Sequence, residues 1–499
     1  MSYKEYFNKF NKNDIEHVVQ HVPNSKAESF LLENAPRLYC PDEVIEETFA
    51  FRTWTMRKHI KKTDAGFLIT EFLTKVQLPW AGKYNVINAA LTHHLNEFRW
   101  LKNSDLFLDY ISFFINGEGS LNGDGCAFAY HTPALNAIYD FCIYTANESF
   151  LLENLSALEK YFQRWEDKHG TENGLYWSID DREGTEYTIS GTTSKNEFLK
   201  GFRPLCNACM YGDAVAMAKI QKMAGNAEKE QYYLKKASEI KNNIDKKLWD
   251  GTFYKAVHPA EQNLDKQVDY RDIIEECNAK ELVGYIPWAF NMPDEGKEEV
   301  FSLLKDKKAF LGETGFTTAD ISNARFMYPV LHKACSWNGK VWPYATSYVI
   351  NAVIELLDNY NQTVLTDNDL YDFIKQYAKM HYLYCEDGNC INFIDEVMLP
   401  FRHVWYAHEW LKTNGCPESV GGPNRGRDYN HSTFIDLIIR GLCGVKLDGN
   451  DIAVRPRIKG VWKWFKLENL HVKKNTYNVY YDEDGSKFQK GKGVIIERI

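Results

Sequence analysis

Apolar and polar positions alternate with a helical rhythm from about residue 42 to about residue 442, and the rhythm then changes. From Asp42, a residue suited to N-capping, apolar side chains recur at 44, 45, 49, 51 and 54, close to the 3.6-residue period. The same spacing predicts helices over residues 85–100, 104–115, 132–145, 149–169, 207–224, 227–248, 293–304, 344–357, 367–379 and 432–442, with a weaker one at 15–22. No fixed repeat runs through the pattern, which argues against a solenoid. Gly225 is a natural stop between two of these helices. Other links are long and rich in Gly, Trp, Asp and His, namely 116–131, 171–204, 307–342 and 384–431. Long ordered links in a compact domain usually carry function.

Beyond Leu442 the segments 452–455, 465–472 and 477–481 are short and rich in β-branched and aromatic residues. Asp482-Glu-Asp-Gly485 reads as a hairpin turn before a further strand at 493–497. Paired helices with long loops gathered at one end predict a mainly α fold, an (α/α)6 toroid, with a small C-terminal antiparallel β segment; a helical bundle with a β-cap is the alternative. The expected division is a lead-in over 1–37, a catalytic domain over 38–445 and the β segment over 446–499.

Composition narrows the function classes. The 499 residues carry 59 Lys and Arg against 68 Asp and Glu, a net charge of -9, which disfavours nucleic-acid binding. No window is long and apolar enough for a membrane span, and the N-terminus shows no signal-peptide pattern. With eleven scattered cysteines that form no disulfide framework, the expected location is the cytoplasm. Cys206 and Cys209 form a C-x-x-C inside a helical stretch and read as two small residues on a helix. Aromatic residues make up 14% of the chain, and such side chains stack on sugar rings as readily as they fill a core.

Several clusters could carry chemistry. The stretch from Gly174 to Gly191 holds Asp180, Asp181, Glu183 and Glu186 among aromatics such as Trp177. Like charges that close cannot all stay ionised in a dry pocket, so one is expected to keep its proton, as a general acid must. Asp395-Glu396 is an acidic pair inside an apolar run. Arg425 to Phe434 contains Arg427, Asn430 and His431, with Ser432 placed to cap the helix that follows. Trp337-Asn338 and Trp342 lie at another helix start. Trp80, Asn85, His94, Glu97, Arg99 and Trp100 complete the expected sugar contacts. His94 and Glu97 share a helical face but lack further metal ligands; no metal and no cofactor is expected. Walker A, G-x-S-x-G and H-E-x-x-H motifs are absent.

These strings, E-F-R-W at 97–100, G-L-Y-W-S-I-D-D-R-E-G-T-E-Y-T-I-S-G at 174–191, M-Y-G-D-A at 210–214, W-N-G-K-V-W-P-Y-A-T-S at 337–347 and R-G-R-D-Y-N-H-S-T-F at 425–434, resemble six-hairpin glycosidases. The resemblance is to the mannosylglycerate-hydrolase-like catalytic domain related to glycoside hydrolase family 63. It implies an inverting, exo-acting hydrolase of a small carbohydrate substrate, with carboxyl groups about 6.5–9.5 Å apart. Carried over position by position, it implies Asp181 as general acid and Glu396 as general base. The acid loop here lacks the family's Asp-Asn-Ser-Pro-Arg form, which leaves Glu183 and Glu186 as alternatives. A glycoside phosphorylase or an inactive carbohydrate-binding protein are the other readings. The sequence does not indicate an oligomeric state.

Overall fold

Seven of the eight residues of the helix Leu91–Phe98 are buried, including Thr92, His93, His94 and Glu97. A helix buried on every face has to lie inside other helices. The computed structural model describes residues 1–117, 129–259, 262, 274–331, 334–385 and 388–499. Among these, six segments form a closed inner ring: Leu91–Phe98, Ala134–Thr145, Pro204–Met223, Leu282–Phe290, Pro343–Asn359, and Phe434–Asp436 continued by Leu437–Leu442. Each packs on the next and the last packs back on the first.

The outer layer alternates with this ring along the chain: Glu43–Met56, Leu108–Ile115, Leu155–His169, Ala227–Lys247, Glu298–Lys305 and Asp367–Met380. Ala227–Lys247 shows the outer pattern, burying Tyr233, Ala237, Ile240 and Ile244 along one stripe. The architecture is therefore the (α/α)6 toroid. Glu43–Met56 is more buried than the other outer helices because two N-terminal helices, Tyr3–Asn13 and Asn24–Asn34, cover it.

Those two helices replace the one expected at 15–22. Ser2 and Glu5 form a capping box at the first. Residues 15–22 remain irregular, and Pro23 disfavours helical backbone just before it. The helix expected over 85–100 begins only at Leu91, after two short 3-10 turns, and the one expected over 149–169 is interrupted at Asn154. The segment expected as a helix over 293–304 is a 3-10 helix at Glu298–Lys305, and the last inner segment ends as a π-helix. Tyr406–Asn414 is a helix inside the expected loop 384–431. Most of the expected loop 116–131, along with 332–333 and 386–387, lies outside the described residues.

The β segment is an antiparallel sheet that draws on both ends of the chain. Arg37–Tyr39 pairs with Trp464–Val472, which pairs with Asn475–Asp482, which pairs with Gly493–Arg498. Lys473 and Lys474 have φ of 53° and 64°, and supply the tight turn. Asp482–Gly485, expected as that kind of turn, instead opens a longer loop, in which the Asp482 carboxylate accepts from Gly485 N and Phe488 N. No helix among the described residues is long and apolar enough to cross a membrane.

Candidate active site

Loops that lead into the N-termini of the inner helices enclose a cavity of about 340 Å³. Glu71 reaches it from the residues following the hairpin Ile60–Thr63 and Gly66–Ile69, and Trp80, Ile87 and Ala89 come from the stretch before Leu91–Phe98. Tyr130 precedes Ala134–Thr145. Asp181, Gly184, Glu186, Tyr187 and Phe198 precede Pro204–Met223. Cys335, Trp342 and Tyr344 surround the start of Pro343–Asn359, and Glu396, Arg425, Tyr429 and His431 precede Phe434. Helix N-termini carry partial positive charge and spare N–H groups, so this end of the ring favours anionic side chains.

Four carboxyl groups share the cavity, in different surroundings. Glu186 is half-buried, and desolvation pushes its carboxyl up to about 8, with Asp181 and Glu396 raising it further. Its Oε2 lies 3.5 Å from the Cys335 thiol, and its backbone carbonyl accepts from Trp337 N at 3.0 Å, which ties the two loops together. Burial also raises Glu396, but the Arg425 guanidinium pulls it back towards the charged form. Glu71 is raised well above the usual carboxylate range, by burial first and then by Glu396 and Glu186. Asp181 is about one-third exposed and lies 3.5 Å from Arg182 Nε at the rim. A cavity with one group prone to hold its proton and another next to a fixed cation can run acid and base chemistry together.

Asp180, Glu183 and Asp395 do not line the cavity. Asp180 holds its loop closed, accepting from Asp181 N, Thr188 N, Thr188 Oγ1 and Thr192 Oγ1, and burial raises it to about 6. Glu183 accepts from Arg203 Nε at 2.7 Å and from Cys206 N at 3.1 Å, capping an inner helix. Asp395 points under the cavity floor, accepting from Glu396 N, and a Cβ at Gly426 would lie 2.3 Å from its Oδ1.

Of the expected sugar contacts, Trp80, Glu186, Trp342 and His431 line the cavity together with Asp181 and Glu396. The others are held elsewhere. Arg99 pairs with Asp436 in the core, where Trp100 Nε1 donates to the same carboxylate. Glu97 caps the last inner segment, accepting from Ile435 N at 2.8 Å, and burial raises it to about 8. His94 shares a hydrogen bond with the Tyr110 hydroxyl at 2.8 Å behind His431. Trp337 stacks behind Trp342, ring centroids 4.4 Å apart, and Asn338 donates to Tyr328 O. Asn85 shapes the loop that presents Trp80: it donates to Thr74 Oγ1 and Val76 O and accepts from Leu78 N. Trp177 packs on His169, Asn430 accepts from Arg52, and Arg427 donates to Asn13 O beside Asp14. Ser432 accepts from Phe434 N, but the helix N-cap is Thr433 and not Ser432, and the next N–H is taken by Glu97 rather than facing the cavity.

Sequence reasoning missed Glu71, Tyr130, Tyr187, Phe198 and Cys335. Glu71 is a lone acid after a short strand, with no local pattern to mark it. Tyr187 carried a signal only in three dimensions, a φ of 60° that a bulky residue rarely adopts. Cys206 and Cys209 are buried in Pro204–Met223, and Cys206 Sγ lies 3.2 Å from His131 Nδ1.

A ring of inner helices with a carboxyl-lined cavity at one end places this chain among the six-hairpin glycosidase folds. It belongs to the mannosylglycerate hydrolase MGH1-like glycoside hydrolase domain family, whose profile matches residues 83–432. A structure described as a sialidase is 31% identical and superposes with a TM-score of 0.86; it matches all of this chain, which spans 43% of that protein's length. The α-L-rhamnosidase from Dictyoglumus thermophilum is 14% identical, with a TM-score of 0.55 over 90% of this chain and 43% of its own. The family 63 mannosylglycerate hydrolase from Thermus thermophilus, solved with glucose, is 10% identical, with a TM-score of 0.53 over 79% of this chain and 99% of its own. Those last two likenesses concern the fold. Among curated protein sequences none matches.

Proposed function

We propose that this chain is an inverting, exo-acting glycoside hydrolase that removes one sugar unit from a small glycoside. The observation that carries the reading is the pairing of Glu186 and Glu396 in one enclosed cavity. Glu186 keeps its proton up to about 8 and donates it to the leaving oxygen, while Glu396, raised by burial but drawn back towards the charged form by Arg425, takes a proton from the attacking water once it has ionised. Asp181 and Glu186 are both half-buried, but Asp181 lies beside Arg182 while desolvation and acidic neighbours raise Glu186, so Glu186 rather than Asp181 supplies the proton. Trp80 and Trp342 give the cavity apolar faces for a sugar ring.

Phosphorolysis would need a cluster of cations for phosphate. Of the basic and hydroxyl side chains in the 425–432 stretch, Arg425 and His431 line the cavity, but Arg427 turns to Asn13 and Ser432 lies against Tyr377. That favours water as the acceptor. The test is turnover of mannosylglycerate and of nitrophenyl α-mannoside, α-rhamnoside and α-glucoside, with and without phosphate, with the anomer released followed by proton NMR. Phosphate-independent release of the inverted anomer is expected. Retention of configuration, or an absolute need for phosphate, overturns the mechanism.

A further inference from the structure

Two polar atoms on the cavity wall stand side by side with nothing bonded to them. Glu71 is 6% exposed and His431 3% exposed; both line the cavity, and Glu71 Oε2 and His431 Nε2 are buried without hydrogen-bond partners. Glu71 Oε1 lies 3.4 Å from His431 Nε2, close but poorly aimed. On the far side of the imidazole, the Tyr429 hydroxyl bonds His431 Nδ1 at 2.6 Å. With the phenol donating there, the ring proton sits on Nε2, on the side of the ring that faces Glu71. An unsatisfied buried donor next to an unsatisfied buried carboxyl oxygen is costly unless a ligand completes both.

We propose that Glu71 acts as a neutral, hydroxyl-binding carboxyl, which together with His431 clamps one ring hydroxyl of the sugar, and is not a second catalytic carboxylate. The charges around it fit. Glu71 faces Glu396, Glu186 and Arg425 within the cavity, neutral His431 beside it, and the hydroxyls of Tyr110, Tyr130 and Tyr429. Arg425 is the cation set against these buried acids, and Glu396 needs it in order to ionise. A second carboxylate at Glu71 would have to share Arg425 with Glu396, and burial with two acidic neighbours outweighs that cation and favours the protonated form. A protonated carboxyl both donates and accepts, so it reads a hydroxyl in either sense, while His431 Nε2–H donates to the same oxygen. Such a pair discriminates strongly against a sugar that lacks that hydroxyl, because both groups are then left unpaired.

This assignment rests on the cavity being the sugar site of a hydrolase. Its test compares Glu71→Gln, which copies the neutral acid, with Glu71→Ala, on whichever nitrophenyl glycoside the wild type cleaves. The Gln variant is expected to stay within a few-fold of wild type in KM and kcat. The Ala variant should raise KM by roughly 10- to 100-fold, and that loss should vanish on the monodeoxy analogue lacking the clamped hydroxyl. An infrared difference spectrum at neutral pH, wild type minus Glu71→Gln, should show the carbonyl band of a protonated carboxyl. It needs no substrate, so it reads the proton even if no glycoside is cleaved and the hydrolase reading fails. Carboxylate bands in that spectrum, or equal losses in the Gln and Ala variants, overturn the proposal.

Discussion

The Cys335 thiol lies 3.5 Å from Glu186 Oε2, against the proposed proton donor. Of the described cysteines Cys335 is the one on the cavity wall. Burial and the acidic Glu186 and Glu396 push the Cys335 thiol up, so methyl methanethiosulfonate should inactivate the wild type slowly at neutral pH and faster as pH rises, and bound sugar should slow it further. Cys335→Ala should keep most of the activity and become resistant. Equal inactivation of that variant would place the sensitive thiol elsewhere.

Glu186 must be protonated to act, so activity should fall as pH rises through about 8. On the acid side Glu396 must be ionised, so activity should fall below an apparent pKa above the ordinary 4.5. Glu186→Gln should lower kcat by about 10²–10⁴-fold on poor leaving groups, with a smaller loss on a dinitrophenyl glycoside. Asp181→Asn should have the lesser effect on both. If the two variants exchange these behaviours, Asp181 is the acid.

Glu396→Gln should abolish turnover even on activated leaving groups, because no leaving-group chemistry replaces the base. Sugar binding, followed by fluorescence of Trp80 and Trp342, should persist. Recovery of activity on adding azide, with the inverted glycosyl azide as product, would confirm the face from which the nucleophile arrives.

Arg203 and Glu183 form a fully buried pair at 2.7 Å, and Arg203 also donates to Ser190 and Thr188. Removing one partner of such a pair costs about 3–5 kcal/mol. Arg203→Met should thus lower the unfolding midpoint markedly. Arg99→Ala makes a second comparison: its partner is Asp436, away from the cavity, so stability should fall while KM stays unchanged.

Glu97, Glu186 and Asp395 are each raised to about 8 by burial. A carboxyl whose folded value is raised stabilises the fold fully below its unfolded value and loses that contribution as pH climbs to the folded one. The melting temperature should therefore decline between about pH 4.5 and pH 8. Glu97→Gln should flatten part of that decline.

The helical periodicity, the change to strands after Leu442 and the acid-rich 174–191 loop were all legible in the sequence, because each is a local property. The closed ring was implied by paired helices with long loops gathered at one end, and the family strings pointed to its chemistry. Which acids face the cavity was decided only by the tertiary structure. Asp180, Asp181, Glu183 and Glu186 sit within seven positions, yet Asp180 ties the loop, Glu183 caps a helix, and only Asp181 and Glu186 line the cavity. Glu97 and Arg99 look like sugar ligands in sequence, but an N-terminus needing a cap and a buried Asp436 claim them. Glu71 carried no signal at all. Its meaning comes from His431, 360 positions away, and from the burial both acquire only when the ring closes.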